Sequence, residues 1–265
     1  MTVDNIQKII LIGAGKLATN FGISLKNSGY NIVQVYNRTS LSGLHLADTL
    51  SSAYIDDLQF LSGEADLYCI CVSDSSLESV ARKIHSNKKL VIHFSGTISI
   101  DVLKQCSGNY GVIYPPQTFT KQNIVEFDDI PLCVEANSVE NQRKLSDFAY
   151  TLSKKVFPVT FLQRKVIHLS SVFAGNFSNF LFSISESLLK EQSLPMELVL
   201  PLIERTASNA RATAIFSRQT GPAIREDQEV IKTHLALLSN SNEYREIYRL
   251  LTESIIMEKH KHDEL

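Results

Sequence analysis

A glycine-rich turn near the N-terminus contains the residues whose types and spacing say most about chemistry. Gly13, Gly15 and Ala18 follow an apolar run that predicts a buried strand, and they precede a pattern that predicts a helix. In such a turn the first glycine permits a tight bend, the second lets the backbone approach a pyrophosphate, and a small third residue allows close helix packing. The N–H groups and positive dipole end of the helix then favour phosphate. The turn therefore predicts a dinucleotide site formed by Gly13, Ala14, Gly15, Lys16 and Leu17.

The end of the second predicted strand indicates which dinucleotide is bound. Sites for NAD usually place Asp or Glu there to accept a hydrogen bond from the ribose 2′-hydroxyl, but this strand is followed by Asn37 and Arg38. A guanidinium can pair bidentately with a 2′-phosphate, and the Thr39 and Ser40 hydroxyls can donate further hydrogen bonds. These residues favour NADP(H) as the cofactor. The alternative is that Arg38 is a surface arginine and that Thr39 or Ser40 only caps the next helix.

Polar residues also follow later predicted strands, at the edge where open α/β sheets bind their ligands. Val72 and Ser73 come at the end of one such strand, and we expect them near the cofactor. Ser95 and Gly96 follow another strand and are expected to border the nicotinamide, where Gly96 permits close approach of the backbone. His93 lies on the same strand face as Ser95 and is either a hydrogen-bonded core histidine or a catalyst.

A proline pair stiffens the loop that follows the strand predicted at 110–114. Gln117 and Thr118 come directly after this pair. They either contact a substrate or belong to a rigid connector, and the sequence leaves both alternatives open.

The stretch between Lys165 and Glu186 contains no charged residue. A helix with one exposed face normally carries charge there, so we expect this helix to be buried on all sides, and its polar residues exclude a membrane span. Its polar stripe faces either a cleft where nicotinamide and substrate meet, or a neighbouring helix or subunit. In the first case Asn176 orients the substrate and His168 donates a proton, with Ser95 as a further catalytic candidate.

Composition excludes several classes of partner. A formal net charge of −2 provides no basic surface for nucleic acid. No basic and apolar leader precedes the first predicted strand, so we expect a cytoplasmic protein that does not bind membranes. The four cysteines lie in or beside predicted strands without metal-ligand spacing, and they are expected to be buried thiols rather than disulfides or metal ligands.

Apolar runs and helical patterns alternate through residues 1–160, which predicts an α/β domain of Rossmann type. We expect its sheet to be parallel and covered by helices on both faces. Strands are predicted at 9–12, 31–36, 66–72, 89–94, 110–114, 131–134 and 155–159, with a short further segment at 53–55. Residues 161–265 predict an all-helical domain for substrate binding or dimerisation. Its helices are expected at 161–191, 196–217, 227–238 and 243–259.

The chain resembles Rossmann-like proteins with a C-terminal helical domain of unknown function, the DUF2520 group. Its N-terminal half is similar to the coenzyme-binding domain shared by F420-dependent NADP reductases and pyrroline-5-carboxylate reductases. The segments that carry the resemblance are 13–18, 37–39, 93–96, 115–119, 176–179 and 220–225. The resemblance implies an NADP-dependent oxidoreductase that acts on a small molecule and forms a homodimer through its helical domain.

The sequence departs from related dehydrogenases at the general acid. β-Hydroxyacid dehydrogenases and ketopantoate reductases carry a catalytic lysine four residues before a helix asparagine, whereas this chain has Val172 four residues before Asn176. No lysine lies on the polar stripe, and His168 is its nearest ionisable group. Three functions stay open: NADP(H)-dependent reduction of a small C=O or C=N compound, hydride exchange between NADPH and a deazaflavin, and non-catalytic NADP(H) binding by a sensor or partner-binding protein.

Overall fold

One eight-stranded sheet organises the first part of the chain in the computed structural model, which describes residues 6–86, 88–211 and 214–264. The strands are β1 (Lys8–Ile12), β2 (Asn31–Tyr36), β3 (Ala53–Ile55), β4 (Leu67–Ile70), β5 (Leu90–His93), β6 (Asn109–Tyr114), β7 (Leu132–Ala136) and β8 (Val156–Pro158). Their order across the sheet is β3-β2-β1-β4-β5-β6-β7-β8. The seven predicted strands are present, the short segment at 53–55 forms β3, and the expected α/β fold of Rossmann type is confirmed.

The α-helices in the described residues are α1 (Lys16–Asn27), α2 (Ser40–Leu50), α3 (Asp74–Ala81), α4 (Val139–Tyr150), α5 (Phe161–Ser171), α6 (Ser178–Glu191), α7 (Leu200–Asn209), α8 (Gln228–Leu237) and α9 (Asn242–Asp263). The helix predicted at 196–217 is shorter than expected. It is observed as α7 between two 3₁₀ turns; α7 ends at Asn209, and the left-handed conformation of Ala214 prevents a helix from running on to residue 217. Positions 212–213 of that prediction lie outside the described residues.

The sheet is mixed rather than wholly parallel. Strands β1 to β6 pair in parallel, but β7 runs antiparallel to β6. A parallel return requires a crossover connection, usually helical, and residues 115–131 contain no helix. The chain therefore returns through a non-helical loop, and β7 runs antiparallel to β6. Helix α4 then connects β7 to β8, which is parallel to β7.

Alternate side chains of β1 divide between the two faces of the sheet. Ile9 and Leu11 belong to one buried cluster together with Phe21 of α1, whereas Ile10 and Ile12 belong to a second cluster on the other face. Burial on both faces explains why the central strands read as unbroken apolar runs. The four cysteines are buried and free, as expected.

The chain divides into two compact units, Met1–Phe177 and Ser178–Leu265. The first unit contains the sheet, α1 to α5 and the segment Val172–Phe177, and the second contains α6 to α9. The domain division expected near residue 160 stays a prediction. No helix within the described ranges is long and apolar enough to cross a membrane.

The charge-free stretch is not one regular α-helix. Val172–Phe177 is π-helical, and a π turn accommodates an extra residue, so side chains beyond it rotate away from positions drawn at α-helical spacing. Val166, Leu169 and Phe173 on its apolar arc are each more than half exposed in the chain. The expectation of a helix buried on all sides is therefore wrong for the single chain, because lack of charge does not distinguish a buried face from an exposed apolar one.

Candidate dinucleotide and substrate site

The turn after β1 is held tightly against the neighbouring strands. Gly13 has a φ of +118°, and its N–H donates to the Tyr36 carbonyl at 2.7 Å. A Cβ added at Gly13 would lie 2.5 Å from the Cys71 carbonyl oxygen. Both the positive φ and this close approach require glycine. The backbone of the turn is therefore fixed between the ends of β1 and β2 and the residues that follow β4.

Gly15 and the first turn of α1 face open space. Gly15 is the N-cap of α1, no side chain caps this end, and the first turn carries no acidic residue. A Cβ at Gly15 would meet no atom within 4 Å. The first N–H groups of a helix have no intrahelical partner, so this end can accept an anion as bulky as a pyrophosphate. These features fit a dinucleotide.

Asn37 shapes the turn from the end of β2. Its Oδ1 accepts the Ala14 N–H at 3.1 Å, and its Nδ2 donates to the Thr39 carbonyl and to Ser42 Oγ, each at 2.8 Å. Its amide group and the Ala14 N–H are therefore already paired. The sequence predicted that both residues contact the cofactor, and the structure adds this bond between them.

A cleft of about 350 Å³ lies beside the glycine turn. Arg38 is exposed there and has no ion-pair or hydrogen-bond partner among the residues that the structure describes. Thr39 is the N-cap of α2 but its side chain makes no capping hydrogen bond. The suggestion that Thr39 serves only as a cap is therefore wrong, and its hydroxyl is available to a ligand.

The residues lining this cleft include most of the predicted cofactor contacts. They are Gly13, Ala14, Gly15, Tyr36, Asn37, Arg38, Thr39, Leu58, Cys71, Val72, Ser73, Ser76, Ser79, Val80 and Lys83. Five predicted contacts are not among them: Lys16, Leu17 and Ser40 occupy the first turns of α1 and α2, and Ser95 and Gly96 lie in the loop after β5. The sequence analysis missed Lys83, a second exposed cation just beyond α3, because a surface lysine carries no recognisable signal.

The Ser95 hydroxyl is fully engaged in the loop after β5. It donates to Asp74 Oδ2 at 2.9 Å and accepts the N–H groups of Thr97 and Ile98 at 3.1 and 3.0 Å. Thr97 Oγ1 also donates to Asp74, at 2.6 Å. The hydroxyl thereby joins the loop after β5 to the first residue of α3, and its proposed catalytic part stays a prediction.

His93 is a buried core histidine rather than an exposed catalyst. Its Nδ1 accepts the Ser95 N–H at 3.1 Å, and its Nε2 has no hydrogen-bond partner among the described residues. Burial lowers the pKa of His93 to about 3, and the nearby Arg164 adds to this, whereas Asp74 acts in the opposite direction. The ring is therefore neutral in the folded protein at neutral pH.

We expect acid to destabilise the protein through His93. The unfolded imidazole binds a proton below about pH 6.5, but the folded one binds it only near pH 3. Between these pH values the unfolded state binds more protons than the folded state. The free energy of unfolding therefore falls as the pH falls, and at pH 5 it should be about 2 kcal/mol lower than at pH 7. Urea denaturation of wild type and His93→Gln at pH 7 and pH 5 measures this. Equal losses in both proteins would contradict it.

A fully buried arginine supports the same loop from α5. Arg164 donates from Nε and Nη2 to Glu135 Oε2 at 3.1 and 2.9 Å. Its Nη1 donates to the carbonyls of Ser95 and Ile98 at 2.5 and 2.9 Å. The arginine thus connects β7, α5 and the loop that contains Gly96. Sequence reasoning missed it, since nothing local marks an arginine as buried.

A second cavity, of about 310 Å³, lies beside α5 and the loop after β6. His168 Nδ1 lies 3.1 Å from the Tyr114 hydroxyl at its wall. A Cβ added at Gly96 would lie 2.7 Å from that Nδ1, so the imidazole packs directly on the glycine backbone. The cavity brings together His168 and Asn176, the two stripe residues predicted to act on substrate, with Gln117 and Thr118. The sequence analysis assigned no part to Tyr114.

Two parts of the chain match known protein families. Residues 7–93 match an oxidoreductase family with an NAD-binding Rossmann fold, and residues 130–255 match a domain of unknown function, DUF2520. The chain is 38% identical to the "putative NADP oxidoreductase BF3122" of Bacteroides fragilis, covering 95% of this chain and 98% of that one, with a TM-score of 0.90. Pyrroline-5-carboxylate reductase from Coxiella burnetii shares the fold at 19% identity, covering 97% and 98% of the two chains, with a TM-score of 0.57.

A glutamyl-tRNA reductase of Listeria innocua is 27% identical over 158 residues. This match spans 58% of the chain but only 34% of the longer relative. The resemblance noted in the sequence is confirmed: the chain has an NAD(P)-binding Rossmann domain and belongs to the family of Rossmann-like proteins with a C-terminal DUF2520 domain.

Proposed function

We propose that this protein is an NADP(H)-dependent oxidoreductase that transfers a hydride to or from a C=O or C=N carbon of a small molecule. The observation that carries the proposal is the open glycine turn. The first turn of α1 has no side-chain cap, and Arg38 has no partner within the described part of the chain. Both face one cleft, so a pyrophosphate and a 2′-phosphate each have a complementary group.

The charges around the cleft support NADP(H) over NAD(H). Arg38 and Lys83 both line it, and the described residues that line it include no Asp or Glu. An NAD site would place a carboxylate near the ribose hydroxyls. A carboxylate would repel a 2′-phosphate, whereas two cations attract it. The name of the Bacteroides fragilis relative agrees with this choice.

We expect Arg38→Ala to lower the affinity for NADPH about tenfold to 100-fold, because hydrogen bonds to a charged group contribute about 1.5–3 kcal/mol. The affinity for NADH should change little, since NADH has no 2′-phosphate. Fluorescence titration of both nucleotides measures the two dissociation constants. Arg82→Ala is the matched control, because Arg82 is exposed, pairs with Glu78 and does not line the cleft. Equal losses for NADPH and NADH in Arg38→Ala would contradict the assignment.

The second cavity provides the residues that would act on the substrate. A bound nicotinamide supplies or accepts the hydride. Gly96 lets the His168 imidazole pack against the backbone, Asn176 orients the carbonyl or imine, and His168 is the source of the proton. A panel of small ketones and cyclic imines with NADPH tests this activity. Absence of NADPH oxidation with every compound would favour a non-catalytic NADP(H)-binding protein.

We also propose that a second copy of the chain covers the apolar face of α5 and the π-helical segment, which gives a homodimer. Leu169, Phe173 and Phe177 are each at least half exposed on this stretch without charged residues. Exposed apolar patches of this kind are typical of protein interfaces. Light scattering of the purified protein distinguishes one copy from two, and a monomer at micromolar concentration would contradict the proposal.

A further inference from the structure

Tyr114 and His168 form a hydrogen-bonded pair at the wall of the second cavity, with Ser171 beside the phenol. Tyr114 is the last residue of β6, and His168 lies on α5. The phenol oxygen lies 3.1 Å from Nδ1, and the two rings meet edge to face with centroids 5.9 Å apart. The two residues are distant in sequence, so only the packing of α5 on the sheet brings them together.

The backbone at Gly96 holds the imidazole in place. A Cβ there would lie 2.7–2.8 Å from Nδ1, Cβ and Cγ of His168, so the ring is in contact with the glycine. Tyr114 is itself buried, with 8% of its surface exposed. Both rings therefore have little freedom to rotate away from one another, and the shared hydrogen bond has a defined geometry.

Among the described residues that line the cavity, Tyr114 and His168 are the ones with an ionisable side chain. The other lining residues are Pro116, Gln117, Thr118, Ser171, Val172, Ala174, Gly175 and Asn176, none of which carries a charge. The charged group behind the pair is Arg164, which Glu135 neutralises. The Cys133 thiol also lies near Tyr114, and burial raises its pKa, so it stays protonated. Proton transfer in this cavity would therefore use the phenol or the imidazole.

The geometry favours the phenol as the group that reaches the substrate. Since Nδ1 of His168 is directed at the Tyr114 oxygen, this nitrogen can pass a proton only to the phenol, and a direct route from His168 to a substrate would need Nε2. The phenol oxygen can accept a hydrogen bond from Nδ1–H while its own proton is donated into the cavity. Burial raises the pKa of Tyr114, and a hydrogen bond with the Ser171 side chain opposes part of this rise. The phenol is therefore protonated at neutral pH.

We propose that Tyr114 donates the proton to the substrate and that His168 replaces it, which rests on the proposed reductase function. As the substrate carbon gains the hydride, its oxygen or nitrogen takes the phenol proton and the Tyr114 O–H bond breaks. The phenol oxygen then takes the Nδ1 proton of the protonated His168, whose imidazole is left neutral. Solvent returns one proton to the imidazole, so each turnover consumes one hydride and one proton.

The first test uses the protein without nucleotide. Carbon NMR of Tyr114 Cζ and nitrogen NMR of His168 across a pH titration measure whether the two residues share a proton. We expect the Tyr114 resonance to shift with the same midpoint as His168, and this step to disappear in His168→Gln. A Tyr114 resonance that does not respond to the His168 titration would overturn the pair.

The second test measures reduction of 2-methyl-1-pyrroline and cyclohexanone by NADPH. We expect Tyr114→Phe to lower kcat about 100-fold or more, the range for loss of a general acid, with the NADPH dissociation constant changed less than about twofold. Tyr110→Phe is the matched control, because Tyr110 lies on the same strand, is equally buried and bonds Asp101 instead. It should retain wild-type kcat.

The outcomes separate the two proposals. Unchanged kcat in Tyr114→Phe, with an active wild type, would overturn the donor assignment and leave the reductase function standing. A wild type that binds NADPH but reduces neither probe would count against the reductase function and remove the donor assignment with it. In either case the NMR titration shows whether Tyr114 and His168 share a proton.

Discussion

Gly13→Ala is expected to lower the free energy of unfolding by about 3 kcal/mol or more, whereas Gly15→Ala should change it by less than about 1 kcal/mol. Gly13 has a φ of +118°, and its added Cβ would lie 2.5 Å from a backbone oxygen of Cys71. Backbone strain and overpacking each cost about 1–3 kcal/mol. Gly15 has a φ of −79° and open space where its Cβ would project, so alanine fits without strain.

The two alanine variants should differ in what they change: Gly13→Ala lowers the stability of the fold, and Gly15→Ala lowers the affinity for the cofactor. Gly15→Ala places a methyl group where the pyrophosphate would approach, so its affinity for NADPH should fall about tenfold or more while the fold is retained. Urea denaturation and fluorescence titration of both variants measure the two effects. A Gly15→Ala protein with wild-type affinity for both nucleotides would show that the pyrophosphate does not bind at this turn.

Glu135→Ala is expected to destabilise the protein by about 3–5 kcal/mol, the range for breaking a buried ion pair by removal of one partner. Arg164 is fully buried, and its Nε and Nη2 both donate to Glu135 Oε2. Loss of the carboxylate leaves a guanidinium in the interior without a counter-charge, held by the carbonyls of Ser95 and Ile98 and the face of the Phe161 ring.

The matched control for this change is Glu78→Ala, which removes an exposed ion pair with Arg82. Exposed pairs contribute about 0–1 kcal/mol, so this variant should resemble wild type in urea denaturation. The double variant Glu135→Leu with Arg164→Met should recover part of the lost stability, because it removes the unpaired charge as well as its partner. Similar stabilities of Glu135→Ala and Glu78→Ala would contradict the assigned energetic importance of the buried pair.

The strands and the glycine turn could be predicted from the sequence because the forces that specify them act between near neighbours in the chain. The burial of β1 on both faces appears directly as the unbroken run Ile9–Ile12. The sharp bend at Gly13 depends on one residue type. The start of α5 at Phe161 follows from a capping box between Thr160 and Gln163, which is likewise local.

The direction of β7 and the interruption of the charge-free helix could not be predicted in the same way. Whether the chain crosses over or turns back after β6 depends on how residues 115–131 pack, and the apolar run of β7 is compatible with either direction. The π-helical turn at Val172–Phe177 changes which side chains share a face, and α-helical spacing assumes that no such turn occurs.

The amino-acid sequence by itself determined the Rossmann-type domain, the dinucleotide turn and the cation beyond β2, since each depends on residues adjacent in the chain. Only the tertiary structure decided that Arg164 bonds a loop 69 residues away, that Gly96 packs on His168, and that Tyr114 meets the same imidazole. These contacts join residues whose local sequences are unremarkable. They form because helix α5 packs on the sheet, and that packing follows from burial across the whole domain rather than from any one segment.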